Sequence, residues 1–371
     1  MRSLSCIAVI GVCFANSGCG SSVEEPQFPV FDFERQYIVF EQQLREERDQ
    51  LKVRSYNELT GREKIFLVAG GSDSANFAQE VIDQRRHWMN MGFSADEIAC
   101  FYVRPTLTAM YQDWEQYRLL SDELSHCFAA NTQVIRYALH LASILEPDFI
   151  YFYSSSHGAP PMSLASEILD SKHSEKLYSE VLQRFPHLDQ YWLVYDGSSI
   201  GDAFNRHEVD EMIAAGEEKK EDFYFSPEVL KGLLNKPGFS KTQKIIILQA
   251  CFSGGFLESP EPKFQDQTLT SVSYLTLITA ARFDRTSFGC DVGSQTTVFG
   301  GEFNHLISTH LHSQIPVQID WSTLYSSLER NIRTREMELN LGDKPSLPQY
   351  FSNRISAHET DASDMNCLLP P

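Results

Sequence analysis

A histidine followed by glycine, His157-Gly158, and a cysteine, Cys251, each stand just past the end of a short apolar run. The first run, FIYFY at 149–153, continues as Ser154-Ser155-Ser156-His157-Gly158. The second, KIIIL at 244–248, continues as Gln249-Ala250-Cys251-Phe252-Ser253-Gly254-Gly255. Runs of this kind predict buried strands, so both groups are expected at the same edge of one sheet. Cysteine attacks as the thiolate, and a neighbouring imidazole makes thiolate available near neutral pH. Glycine after the histidine lets a carbonyl approach the Gly158 N–H, and the N–H of Cys251 supplies the other donor of an oxyanion hole. Taken singly, Cys251 reads as a small buried hydrophobe and His157 as a solvated loop residue. Together they read as nucleophile and acid/base.

The elements that must position this pair alternate along the chain. Further strands are predicted at 64–69 (KIFLVA, closed by Gly70-Gly71), 98–103 and 275–279 (LTLIT). Helices are predicted at 32–54 on the surface, after a Ser74 cap up to Gly92, over 121–145, at 297–311 and at 322–340, the last opened by Ser322. The helix after Ser74 should turn Phe77, Ala78, Val81, Ile82, Trp88 and Met89 inward, and that over 121–145 Leu124, Phe128, Ile135, Leu139 and Ala142. Strands separated by helices give an α/β fold, a mostly parallel sheet with helices on both faces. Gly70-Gly71-Ser72 lacks a phosphate-loop pattern and reads as a turn. His305, His310 and His312 share a predicted helix without zinc-site spacing or carboxylates, so no metal or other cofactor is expected. The 217–222 charge run reads as a solvated loop.

At 371 residues, with 50 acidic against 31 basic side chains, the chain can bury a large core and is a poor match for nucleic acid. A positive start (Met1-Arg2), an apolar stretch at 4–15 and the junction Asn16-Ser17-Gly18-Cys19 predict an export signal. They resemble a bacterial lipoprotein signal. A signal peptide over 1–18 would leave Cys19 lipidated and the protein membrane-anchored through that lipid alone, periplasmic or at the cell surface. Cleavage after Ala15, with simple secretion, is the alternative. Residues 20–31 have the proline and polar content of a tether. Export leaves Cys100, Cys127, Cys251, Cys290 and Cys367, an odd number, so at least one thiol is not paired within the chain.

The two strand ends resemble the clan of caspase-fold cysteine peptidases, with Gln249-Ala250-Cys251 matching the start of the caspase signature. The sequel Phe252-Ser253-Gly254-Gly255 is more similar to the legumain family. So are VAGGSDSANFAQEVIDQRRHWMNMGFSADEIACFYV (68–103), PDFIYFYSSSHG (147–158) and ITAARFDRTSFGCDVGSQTTVFGGEF (278–303), the last especially like bacterial members. The resemblance covers most of 62–340 in the right order. It implies a caspase-like three-layer sandwich over 62–345, with 32–61 as an N-terminal helical segment and 346–371 as a tail. It also implies an endopeptidase acting on polypeptides through a thioester on Cys251, with His157 as acid/base. Asn76 matches the family's third catalytic member and would orient the imidazole, or it is simply a first-turn helix residue. A non-cutting binding module and a transpeptidase using the same acyl-enzyme are the rival readings.

Specificity is where this sequence parts from the resemblance. Legumains cut after asparagine with a charged pocket whose three positions fall here on Ala78, Gln249 and the Asp291–Gly293 stretch, so asparaginyl specificity is not expected. Arg282 and Arg285 could build another, acid-preferring pocket, or form ion pairs with Asp284. The span from His157 to Cys251 is nearly twice the roughly 50 residues of the caspase signature. The excess, 165–225, is an insertion with its own helix (175–185) and strand (191–195), either a lid or an inert excursion.

Overall fold

The structure, a computed structural model, describes residues 33–168, 175–290, 294–310, 314–341 and 343–354. Seven strands form the central sheet in the order β3-β2-β1-β4-β7-β8-β9. They are β1 (Ile65–Ala69), β2 (Ile98–Tyr102), β3 (Phe128–Ala129), β4 (Phe149–Ser155), β7 (Gln243–Gln249), β8 (Leu275–Thr279) and β9 (Gln349–Ser352). All neighbours are parallel except β9, which runs antiparallel to β8. The residues of β1, β2, β4 and β8 are buried without exception, as expected of strands covered on both faces.

Alternate side chains feed two separate cores. Ile65, Leu67, Tyr151, Tyr153, Ile245 and Ile247 pack beneath helices α2 (Ala75–Asn90), α3 (Leu107–Leu124), α11 (Val298–His310) and α12 (Trp321–Glu338). Phe66, Val68, Phe152, Ile246 and Leu248 pack beneath α4 (Thr132–Ile144) and α9 (Pro227–Leu234). The result is an α/β three-layer sandwich. The surface helix α1 (Phe33–Gln50) lies against α3, with Phe40 and Tyr111 edge to face at 5.7 Å. No helix among the described residues is long and apolar enough to cross a membrane.

Four expectations from sequence need correcting. The helix expected over 121–145 is two helices with β3 between them. Cys127 is tied to Cys100 of β2 by a disulfide, and Asn131 restarts the helix by accepting from the N–H groups of Gln133 and Val134. Residues 346–371 do not begin as a tail, because Gln349–Ser352 completes the sheet and Ser346 is buried. Helix α12 is opened by Asp320, whose side chain accepts from the Thr323 N–H, rather than by Ser322. Met89 is exposed, although Phe77, Ala78, Val81, Ile82 and Trp88 turn inward as expected. The signal, Cys19, the tether, Cys367 and residues 291–293, including Asp291, lie outside the described residues.

Between β4 and β7 lie α5 (Met162–Ile168), α6 (Glu175–Arg184), β6 (Trp192–Leu193), α7 (Arg206–Ala214) and α8 (Lys220–Phe223). Part of this insertion is built into the domain. Its rib, Tyr191 to Tyr195, is largely buried, and β6 pairs antiparallel with β5 (Gly158–Ala159) immediately after His157.

Candidate active site

In the β4–β7 ladder Ser155 faces Gln249, and the Ser156 N–H donates to the Gln249 carbonyl at 3.0 Å. His157 and Cys251 each lie two residues beyond that register pair, on strands spaced by about 4.8 Å. Equal offsets past one pair bring the two residues to the same edge of the sheet. Gly158 marks how tight the approach is. A Cβ on it would lie 2.0 Å from the Cys251 carbonyl oxygen and 3.2 Å from the Ala250 Cβ. In the β5–β6 pair the Val194 N–H donates to the His157 carbonyl at 3.0 Å. Antiparallel alternation therefore leaves the Gly158 N–H out of that ladder, as an oxyanion donor requires.

The chain turns sharply after Cys251. Phe252 has φ +57°, a left-handed conformation costly for an aromatic residue, held by its N–H donating to the Arg285 carbonyl at 2.8 Å. The glycines that follow are forced by contact. A Cβ on Gly254 would meet the Phe283 backbone at 2.5 Å, and one on Gly255 the Tyr191 ring at 2.2 Å. Cys251 remains a thiol and is half-buried, and its Sγ accepts the Ser287 N–H at 3.3 Å. The thiol in turn faces the Ser287 carbonyl, 3.6 Å from Sγ.

His157 is largely covered, with 13% of its side chain exposed. Phe77 meets the imidazole edge to face at 5.0 Å, and Nε2 lies 2.7 Å from Oδ1 of Asp73. Burial raises the Asp73 carboxyl, but the hydrogen bond and charge of His157 outweigh it and hold the group below its ordinary value. Asp73 sits just past β1, whose last residue, Ala69, is the register partner of Ser155. Three strand ends thus converge on one edge. Asp73 is the residue that sequence reasoning missed, although its place past a strand bonded to β4 was a signal for it.

The expected third member, Asn76, is bonded to other groups. It is fully buried, accepts from the Ser74 hydroxyl and donates to the Gly289 carbonyl, so its amide holds the 289 turn rather than the imidazole. Of the residues named for a substrate pocket, those among the described residues are each occupied by other contacts. Ala78 belongs to the core under α2. Gln249 is buried; its Oε1 accepts the Ser156 N–H at 3.3 Å and lies 3.0 Å from the Ser155 hydroxyl oxygen. Arg282 grips Asp284 with two nitrogens, at 2.5 and 2.7 Å, and Arg285 reaches the same carboxylate at 3.3 Å, so the ion-pair alternative is the one observed. Among the described residues no cluster of three His, Cys, Asp or Glu side chains could hold a metal.

Beneath the site lies a carboxyl that sequence reasoning also missed. Glu80 of α2 is fully buried and accepts from the Tyr153 hydroxyl at 2.9 Å, the Ser155 hydroxyl at 2.6 Å and the Thr297 N–H at 2.6 Å. Burial pushes its pKa up to about 7, against the pull of these donors.

No family model matches the chain, and no curated protein sequence matches it. Among solved structures it is similar to the crystal structure of caspase-1 from Spodoptera frugiperda, at 11% identity and a TM-score of 0.40 over 80% of this chain and 90% of that one.

Proposed function

We propose that this protein is a cysteine endopeptidase with Cys251 as nucleophile and His157 as acid/base. The observation that carries the reading is the in-register pairing of Ser155 with Gln249, which sets His157 and Cys251 at equal offsets with Gly158 against the Cys251 carbonyl. His157 takes the thiol proton, and the thiolate adds to the peptide carbonyl. The N–H groups of Gly158 and Cys251 receive the oxyanion. His157 then returns the proton to the departing amine, leaving a thioester that water hydrolyses. Asp73 on Nε2 orients the imidazole and stabilises the imidazolium that forms.

The sequence resemblance makes it a legumain-like peptidase, but one without asparaginyl specificity. A core alanine at 78 and a buried, bonded Gln249 offer no charged pocket of the legumain kind. Export with lipidation at Cys19 belongs to the same proposal, and the Cys100–Cys127 disulfide supports an oxidising compartment. Substituting Cys251→Ala should abolish peptide cleavage while the melting transition is kept. Retained hydrolysis in that variant, or none in the wild type across a diverse peptide pool, would overturn the reading.

A further inference from the structure

A hydroxyl with one proton faces two acceptors beneath the site. Ser155 Oγ lies 2.6 Å from Oε2 of Glu80 and 3.0 Å from Oε1 of Gln249. The assignment of Oε1 is forced, because the Ser156 N–H on the same side, at 3.3 Å, can only donate. On its other side Gln249 Nε2 points to Ser287 Oγ at 3.5 Å, and the Ser287 N–H lies on Cys251 Sγ at 3.3 Å. A chain of polar groups therefore runs from a buried carboxyl to the thiol, with a direction that depends on one proton. With Glu80 ionised, Ser155 donates to it and turns lone pairs toward Gln249 Oε1. With Glu80 protonated, the acid can donate to Ser155, whose hydroxyl then donates to Gln249 and fixes the amide against the Ser287 loop.

Resting on the peptidase reading above, we infer that Glu80 is a positioning residue whose protonation holds the Cys251 loop in its working arrangement and whose ionisation loosens it. The titratable groups around Glu80 are few. Strand β4 contributes Tyr153 and, beyond it, Tyr151, and α2 itself contributes Asp83. Among the described residues, helix α11 and the turn before it meet Glu80 with uncharged partners, Thr297, Gly300 and Asn304. Tyr151 and Tyr153 are held neutral by burial, their pKa values raised well above the usual phenol. Burial carries the Glu80 carboxyl up to about 7, so it changes charge near neutrality.

The test compares wild type, Glu80→Gln and Ser155→Ala across pH 5.5–8.5. Two rates are read: peptide hydrolysis, and iodoacetamide alkylation of Cys251 followed by peptide mass spectrometry. A glutamine amide donates to Ser155 as the protonated acid does, so Glu80→Gln should match wild type at pH 5.5 and exceed it about fivefold at pH 8.5, the worth of one hydrogen bond. Ser155→Ala cuts the chain and should lie at the lower level throughout, without the step. Melting curves exclude misfolded variants. Superimposable wild-type and Glu80→Gln profiles in the alkylation rate would overturn the inference. A step in alkylation without any hydrolysis would keep the coupling and sink the peptidase reading instead.

Discussion

Replacing Gly158 by alanine is a one-methyl change whose consequence follows from the space around that position. The added Cβ would lie 2.0 Å from the Cys251 carbonyl oxygen, where ordinary contact begins near 3.4 Å. The His157–Gly158 segment and the Cys251 turn must therefore part by about 1.4 Å, the difference of those distances. Neither side can yield cheaply. The first is tied by Ser156 N–H to Gln249 O and Val194 N–H to His157 O, both 3.0 Å, and the second by Phe252 N–H to Arg285 O at 2.8 Å. Misplacing reacting groups by about 1 Å costs on the order of a hundredfold in rate, whereas one overpacked methyl costs about 1–3 kcal/mol of stability. Gly158→Ala should thus stay folded with kcat/KM down at least about a hundredfold. Gly232, inside α9 with open space around its Cβ position, is the matched control, and its alanine variant should be fully active and slightly more stable. Peptide-hydrolysis kinetics beside thermal melts decide it. A Gly158→Ala enzyme within threefold of wild type would refute the claimed approach of the two strand ends.

Profiling a peptide library should show a preference other than asparagine before the cut bond, and a dominant asparagine would contradict the pocket analysis. Glu80, with its pKa raised to about 7 from 4.5, contributes stability that is complete below pH about 4.5 and is lost as pH rises through 7. That amounts to about 3 kcal/mol, so denaturant titrations at pH 4.5 and 8.5 should differ by that much more in wild type than in Glu80→Gln. Equal differences would contradict it. Lys244 donates to the carbonyls of Phe239, Thr242 and Ser273 at 2.6, 2.8 and 3.0 Å, at the opposite end of β7 from Cys251. Lys244→Met should cost about 3 kcal/mol or more in urea titrations without changing thiol reactivity, and a neutral result would show those carbonyls to be otherwise satisfied.

The strands that carry the site were legible because a parallel sheet buried on both faces leaves uninterrupted apolar runs. FIYFY and KIIIL needed little else, and their equal offsets to His157 and Cys251 are the register of one ladder. What escaped was set by tertiary contact. The two-residue strand β3 has no periodicity of its own, and its place is fixed by the Cys100–Cys127 link and the Asn131 cap. Strand β9 is short and partly exposed, so Gln349–Ser352 carries no apolar run. Asp73 reads in sequence as a turn residue, and only the pairing of β1 with β4 brings it to the imidazole. Glu80 lies on a helix face among apolar side chains, where its partners Ser155 and Thr297 come from distant segments. Asn76 is the residue for which sequence left two readings open. Its position fits either a catalytic amide or a first-turn helix residue, and its bonds to the Ser74 hydroxyl and the distant Gly289 carbonyl depend on tertiary contact that no local pattern announces.

The central claim is that Cys251 carries the acyl group during turnover. Wild-type protein turning over a peptide ester, quenched in acid and mapped by peptide mass spectrometry, should carry the acyl adduct on Cys251. Cys251→Ala should carry none and His157→Ala a strongly reduced fraction. An adduct on Cys290, or turnover that persists in Cys251→Ala, would contradict the account.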